Sequence, residues 1–143
     1  GETGHAGRAY EVTESQAELT NTYRFLEAKR EVDQVLALIK ASTFVDYSAP
    51  RTLAKVMPPE LWACKKICVS KKRRSDAIYF SGIDVEQLLW FLRRFAYPAP
   101  LVDFVSRHQE RFEHLFFDVG IDYRSDPTTG EVVTLKSSYY GTF

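Results

Sequence analysis

Leu115-Phe116-Phe117-Asp118-Val119-Gly120-Ile121-Asp122-Tyr123 decides the fold class. Successive side chains on a strand point to opposite faces. Leu115, Phe117, Val119, Ile121 and Tyr123 therefore share one face, and Phe116, Asp118, Gly120 and Asp122 share the other. Such a strand has an apolar side to bury and a largely polar side to show, as in an antiparallel sheet with unlike faces. Asp126-Pro127-Thr128-Thr129-Gly130 follows with the residue types that favour a turn. The return strand places Val133 and Leu135 on one face, and Thr134, Lys136, Ser138 and Tyr140 on the other.

Upstream the pattern recurs. Ala63–Ser70 is predicted as a strand, Lys71–Ser75 as a turn and Asp76–Ser81 as the return. Ile67 and Val69 alternate with Lys66, Cys68 and Ser70, and Ile78 and Phe80 with Ala77, Tyr79 and Ser81. Between the hairpins, Asp84 with Gln87 three residues later has the form of a capping box. It opens a helix carrying Val85, Leu88, Leu89, Trp90, Leu92 and Phe95, which Pro98 and Pro100 end. In the next helix Leu101, Phe104, Val105 and Phe112 are read as the buried side, and Arg107, His108, Glu110 and Arg111 as the solvent side.

Nearer the start, Thr13 and Gln16 form another capping signature, and a long helix is expected to run to about Ala41. Leu19, Tyr23, Leu26, Val32, Val35, Leu36 and Ile39 make its apolar stripe. Residues 42–62 are a connector broken by Pro50, Pro58 and Pro59, with Phe44, Val45, Leu53, Val56 and Trp62 packed on the core; Trp90 is read as core as well. The Gly-rich residues 1–12 are expected to be a disordered tail or an expression remnant. The expected fold is α+β, ordered helix–hairpin–helix–helix–hairpin over residues 13–143. Its antiparallel sheet is covered on one face by helices and repeats weakly as two αββα-like units.

The 143 residues fit a single domain, and 45% hydrophobic content supplies a core. Lys+Arg and Asp+Glu both number 19, so net charge points to neither a nucleic-acid nor a membrane partner. No stretch approaches the roughly 18 apolar residues of a membrane-spanning helix. Cys64 and Cys68, on an extended strand, would stand about 13 Å apart, beyond the roughly 7 Å that a disulfide tolerates. A reducing cytoplasm is the simpler expectation, with secretion left open. His5, His108 and His114 are scattered and Cys64-x-x-x-Cys68 is no zinc knuckle, so no metal site is expected. No Gly-rich phosphate loop or nucleophile elbow is present.

The polar faces of the two hairpins carry the chemistry. Lys66, Cys68, Tyr79, Asp118, Asp122, Thr134, Lys136 and Tyr140 would meet on one concave surface if the sheet curls. Lysines and tyrosine hydroxyls suit a phosphorylated ligand, a carboxylate can orient a hydroxyl or take a proton, and Tyr140 can stack on a flat molecule. The plain alternative is a solvated sheet face. Lys65, Lys66, Lys71, Lys72, Arg73 and Arg74 form a basic run with no acid among them, which suits phosphate contacts or simply a solvated hairpin tip.

Lys72-Arg73-Arg74-Ser75-Asp76-Ala77-Ile78-Tyr79-Phe80-Ser81 is similar to a segment of the soluble αββα-repeat aromatic prenyltransferases, the prenyltransferase-barrel enzymes. Thr129-Gly130-Glu131-Val132 resembles their hairpin turn, and Met57-Pro58-Pro59 fits the approach to the first strand, so the likeness covers residues 57–141. It implies helices outside a barrel with polar strands inside, and transfer of a prenyl group from a prenyl diphosphate to an aromatic ring. By this resemblance Arg73 and Tyr79 would be diphosphate contacts, with Lys136 near another basic one. Ala77 and Thr134 depart from it, standing where polar and basic contacts are expected, and the two units here are too few to close a lumen.

Three functions follow as expectations. The first is a small-molecule binding or transfer domain using the concave face. Its ligand-binding residues are Lys66, Arg73, Tyr79, Asp118, Lys136 and Tyr140. The ligand would be a phosphorylated or aromatic molecule, with prenyl diphosphate as a substrate if the domain is an enzyme and a homo-oligomer to complete the enclosure. The second is a non-enzymatic anion or nucleic-acid binder through residues 65–74, and the third a protein-interaction or accessory domain.

Overall fold

The structure, a computed structural model, describes residues 5–12 and 17–142, with side chains described from 22 to 141. Its order is β1 (His5–Val12), β2 (Ala17–Glu27), α1 (Val32–Lys40), α2 (Pro50–Val56), a 3-10 turn (Pro59–Leu61), β3 (Lys66–Lys72), β4 (Asp76–Ile83), α3 (Val85–Arg94), α4 (Ala99–Arg107), α5 (Gln109–Phe112), β5 (Phe116–Ser125) and β6 (Val132–Thr142). Six strands make one antiparallel sheet in chain order, β1-β2-β3-β4-β5-β6. Three hairpins alternate with two helical connections packed on one face, which is the α+β architecture the hairpins imply.

Two expectations are corrected. The long helix over 13–41 is a strand followed by a short helix, and residues 5–12 are a strand paired to it rather than a tail. The capping signature at Thr13–Gln16 lies outside the described residues. Tyr23, Arg24, Phe25 and Leu26 explain the outcome. Leu26 lies opposite Ile67 in the buried layer, while Tyr23 and Phe25 stand opposite Ser70 and Cys68 on the other face. With aromatics on its second face this strand lacks clean alternation, and Leu19, Tyr23 and Leu26 mimic a helical stripe. The connector also holds a helix, α2, started by Pro50 at a position where a missing N–H costs nothing.

The core lies between the sheet and the helices. Leu26, Ile67, Val69, Ile78, Phe80, Val119, Ile121 and Tyr123 supply the sheet side, and Val35, Ile39, Leu88, Leu89, Phe91 and Leu92 the helix side. Helix α3 starts at the expected capping box. Asp84 accepts from the Gln87 N–H at 2.9 Å, and the Gln87 side chain accepts from the Asp84 N–H at 2.9 Å. Val105 is buried as expected, but Phe104 is exposed. Trp62 is exposed too, its indole N–H donating to the Met57 carbonyl, and Trp90 is only partly buried.

One buried polar group ties the connector to the sheet. Asp76, fully buried, accepts from Ser42 Oγ and, at 3.2 Å, from Lys71 Nζ. The Tyr47 and Tyr123 hydroxyls lie against one another beside it, short of a well-formed hydrogen bond. Burial first, and the Asp76 charge in addition, push Tyr47 up to about 12 against the opposing contact with Tyr123, while burial, the Tyr47 contact and Asp76 all drive Tyr123 upward.

Candidate functional site

The face of the sheet away from the helices is laid out in rows. Glu27, Lys66, Ser81, Asp118 and Tyr140 form the first, Phe25, Cys68, Tyr79, Gly120 and Ser138 the second, and Tyr23, Ser70, Ala77, Asp122 and Lys136 the third. A groove of about 460 Å³ runs over the first two rows, lined by Tyr23, Phe25, Lys66, Cys68, Tyr79, Ser81, Asp118 and Tyr140. Laid flat, β2 and β6 would be about 19 Å apart. A groove bordered by Tyr23 at one side and Tyr140 at the other requires the sheet to curl with this face inward.

The groove is built around one close approach. Tyr79 is paired with Gly120, and its ring lies so flat on β5 that a β-carbon on Gly120 would sit 2.2 Å from it. Only glycine leaves room for the ring there. The Tyr79 hydroxyl accepts from Lys72 Nζ at 3.3 Å, and the same ammonium donates to Asp122 Oδ2 at 2.8 Å. Burial works against the Lys72 charge, but the Asp122 and Tyr79 bonds outweigh it and its pKa rises. Tyr79 is also raised, chiefly by burial, with the hydrogen bond from Lys72 opposing.

At the other end, a bulge between Ser81 and Ile83 puts Gly82 at φ 77° and turns its N–H toward Asp118, whose Oδ1 accepts it at 3.2 Å. Asp118 thus lines the groove and also holds the bulge. Lys66 is exposed at the mouth and borders a second hollow, where Lys29, Arg30 and Lys65 outnumber Glu27. Cys68 is a free thiol in the groove wall, pushed up to about 11 by burial, which disfavours the reactive thiolate at neutral pH. Among the described residues no group of His, Cys, Asp and Glu could hold a metal ion.

Of the six residues expected to bind ligand, Lys66, Tyr79, Asp118 and Tyr140 come together in the groove. Lys136 is on the same face, in register with Asp122, but outside the lining. Arg73 is in the β3–β4 turn, beyond the strand end opposite Lys66. Thr134 is displaced from the expected face, because a bulge at Leu135 sets it opposite the buried Tyr123, where it remains exposed. The basic run is dispersed as well. Lys65 sits 3.5 Å over the Phe116 ring, Lys71 pairs with Asp76 and Lys72 with Asp122. Sequence reading missed Tyr23 and Phe25 as site residues, although their spacing of two was the signal for a shared strand face.

Comparison of the chain with protein-family models, with curated proteins and with solved structures finds no match.

Proposed function

We propose that the domain binds, or transfers a group to, a small flat molecule held in the groove on the open face of the sheet. The observation that carries this reading is the set of four aromatic rings, Tyr23, Phe25, Tyr79 and Tyr140, around one concave hollow beside the Lys66 and Asp118 side chains. Ligand sites are typically concave and mostly apolar, with a few placed polar groups, and aromatic walls favour stacking on a planar molecule. The narrower reading, prenyl transfer, would need Arg73, Tyr79 and Lys136 to meet a diphosphate together. These stand in a turn, in the groove and outside its lining, so the broader reading has the better support. A nucleic-acid role for residues 65–74 draws little from a run whose cations are split between the sheet's two ends and partly paired with acids.

A thermal-shift screen of flat aromatics, phosphates, prenyl diphosphates and short oligonucleotides tests this. A ligand present at a hundred times its dissociation constant should stabilise the fold by about 2.7 kcal/mol. Aromatics are expected to give that shift, and Phe25→Ala with Tyr140→Ala to remove it. A shift from oligonucleotides alone would overturn the reading.

A further inference from the structure

The inner end of the groove carries its own discrimination, which rests on the groove being a ligand site. Lys72 is the cation nearest the Tyr79 hydroxyl, and Asp122 neutralises it at 2.8 Å. Lys72 and Asp122 are both mostly buried, with side chains 21% and 18% exposed, so each charge is only partly screened by water. Along the groove itself Lys66 is balanced by Asp118, and the surplus of positive charge lies outside, at Lys29, Arg30 and Lys65. An anion pushed against Tyr79 would find the Lys72 charge already taken up by Asp122 and would sit beside that carboxylate, with Lys136, opposite Asp122, outside the groove lining. The Tyr79 oxygen already accepts from Lys72, and among the described residues Tyr79 donates no hydrogen bond. Its O–H is therefore the donor offered at this end of the groove.

We propose that Tyr79 reads the ligand as a hydrogen-bond donor to an uncharged acceptor oxygen, such as a ketone or ether on a flat ring, and that Asp122, by neutralising Lys72, is the residue that keeps anions out. Lys72 is a positioning residue, holding the hydroxyl in place and orienting its proton away from itself. This assignment departs from a diphosphate contact at Tyr79. The same tyrosine would serve an anion only if Lys72 were released from Asp122.

The test is an NMR titration of the ¹⁵N-labelled chain with two probes of one ring system, 2-acetylnaphthalene and 2-naphthyl phosphate. The ketone is expected to move the Cys68 and Gly120 amides and to bind about tenfold more tightly than the phosphate. Tyr79→Phe keeps the ring over Gly120 and removes only the hydroxyl, so it should weaken ketone binding about fivefold. Asp122→Asn, which frees the Lys72 charge, should strengthen phosphate binding and leave the ketone nearly unchanged. Tighter binding of the phosphate to the unaltered chain would overturn the proposal. So would ketone binding at Cys68 and Gly120 that ignores Tyr79→Phe, an outcome that leaves the groove reading standing. If neither probe moves those amides, the groove reading falls and this inference falls with it.

Discussion

Gly120 and Tyr79 show how one missing side chain shapes the site. The ring occupies the volume that a β-carbon would need, at 2.2 Å from its nearest atom. Because the clash is with a ring held by Lys72, it cannot be relieved as cheaply as one with a loose chain end. Gly120→Ala is therefore expected to cost about 1–3 kcal/mol, read as a lower denaturation midpoint with unchanged slope. If the ring is the cause, the cost should be much smaller in a Tyr79→Ala background, since residues in contact do not add. Equal losses in both backgrounds would place the strain in the backbone. The alternation of residues 115–123 made the Tyr79 and Asp118 faces legible. The pairing of a glycine with a tyrosine was not, because it depends on the register of two strands far apart in the chain, set by the Gly82 bulge that Asp118 holds.

At the scale of elements, the reading succeeded where one face was plainly apolar and failed where both faces held large side chains. Strands β3 to β5 and helix α3 were legible, since their periods of two and of 3.6 are unmixed, whereas in β6 the bulge at Leu135 breaks the alternation and misplaces Thr134. Strand β2 was not, because Tyr23 and Phe25 face the groove while Leu26 faces the core. A strand with a ligand-facing aromatic side loses the very signal by which strands are recognised, so the missed site residues and the missed element have one cause. Helix α3 gives the clearest element-scale prediction. Asp84 satisfies the Gln87 N–H, and Gln87 also donates to the Glu60 and Ala63 carbonyls at 3.0 and 2.9 Å, fastening the helix start to the segment before β3. Asp84→Ala is expected to cost about 1 kcal/mol. Gln87→Ala should cost at least as much, because it breaks the cap and both fastenings. Hydrogen exchange would separate them: Gln87→Ala should speed exchange at Leu61 and Cys64 as well as in α3, whereas Asp84→Ala should act on α3 alone.

At the scale of the molecule, the perturbed groups among the described residues share one direction, and this sets the pH at which the fold weakens. Burial lifts Cys64 and Cys68 from 9.0 to about 11 and Tyr47 from 10.0 to about 12. Burial also raises Tyr79 and Tyr123, and Lys72 rises through its bonds to Asp122 and Tyr79. A pKa higher in the folded state means that the folded chain holds the proton more tightly than the unfolded chain does. The stability linked to that difference is complete below the unfolded value and disappears as pH climbs through the folded one. The thiols set the start of the window near pH 9, and the tyrosines and Lys72 carry it beyond pH 11. The urea midpoint is therefore expected to be unaffected by these groups between pH 7 and pH 8.5, then to fall steadily. Cys64→Ala together with Cys68→Ala should delay the onset by removing the earliest titrations, whatever they do to stability at neutral pH. The delay is the informative quantity, because cavities left by truncated thiols lower the midpoint at every pH alike, while lost linkage changes only the slope above pH 9. An onset that does not move would assign the early decline to groups other than the two thiols.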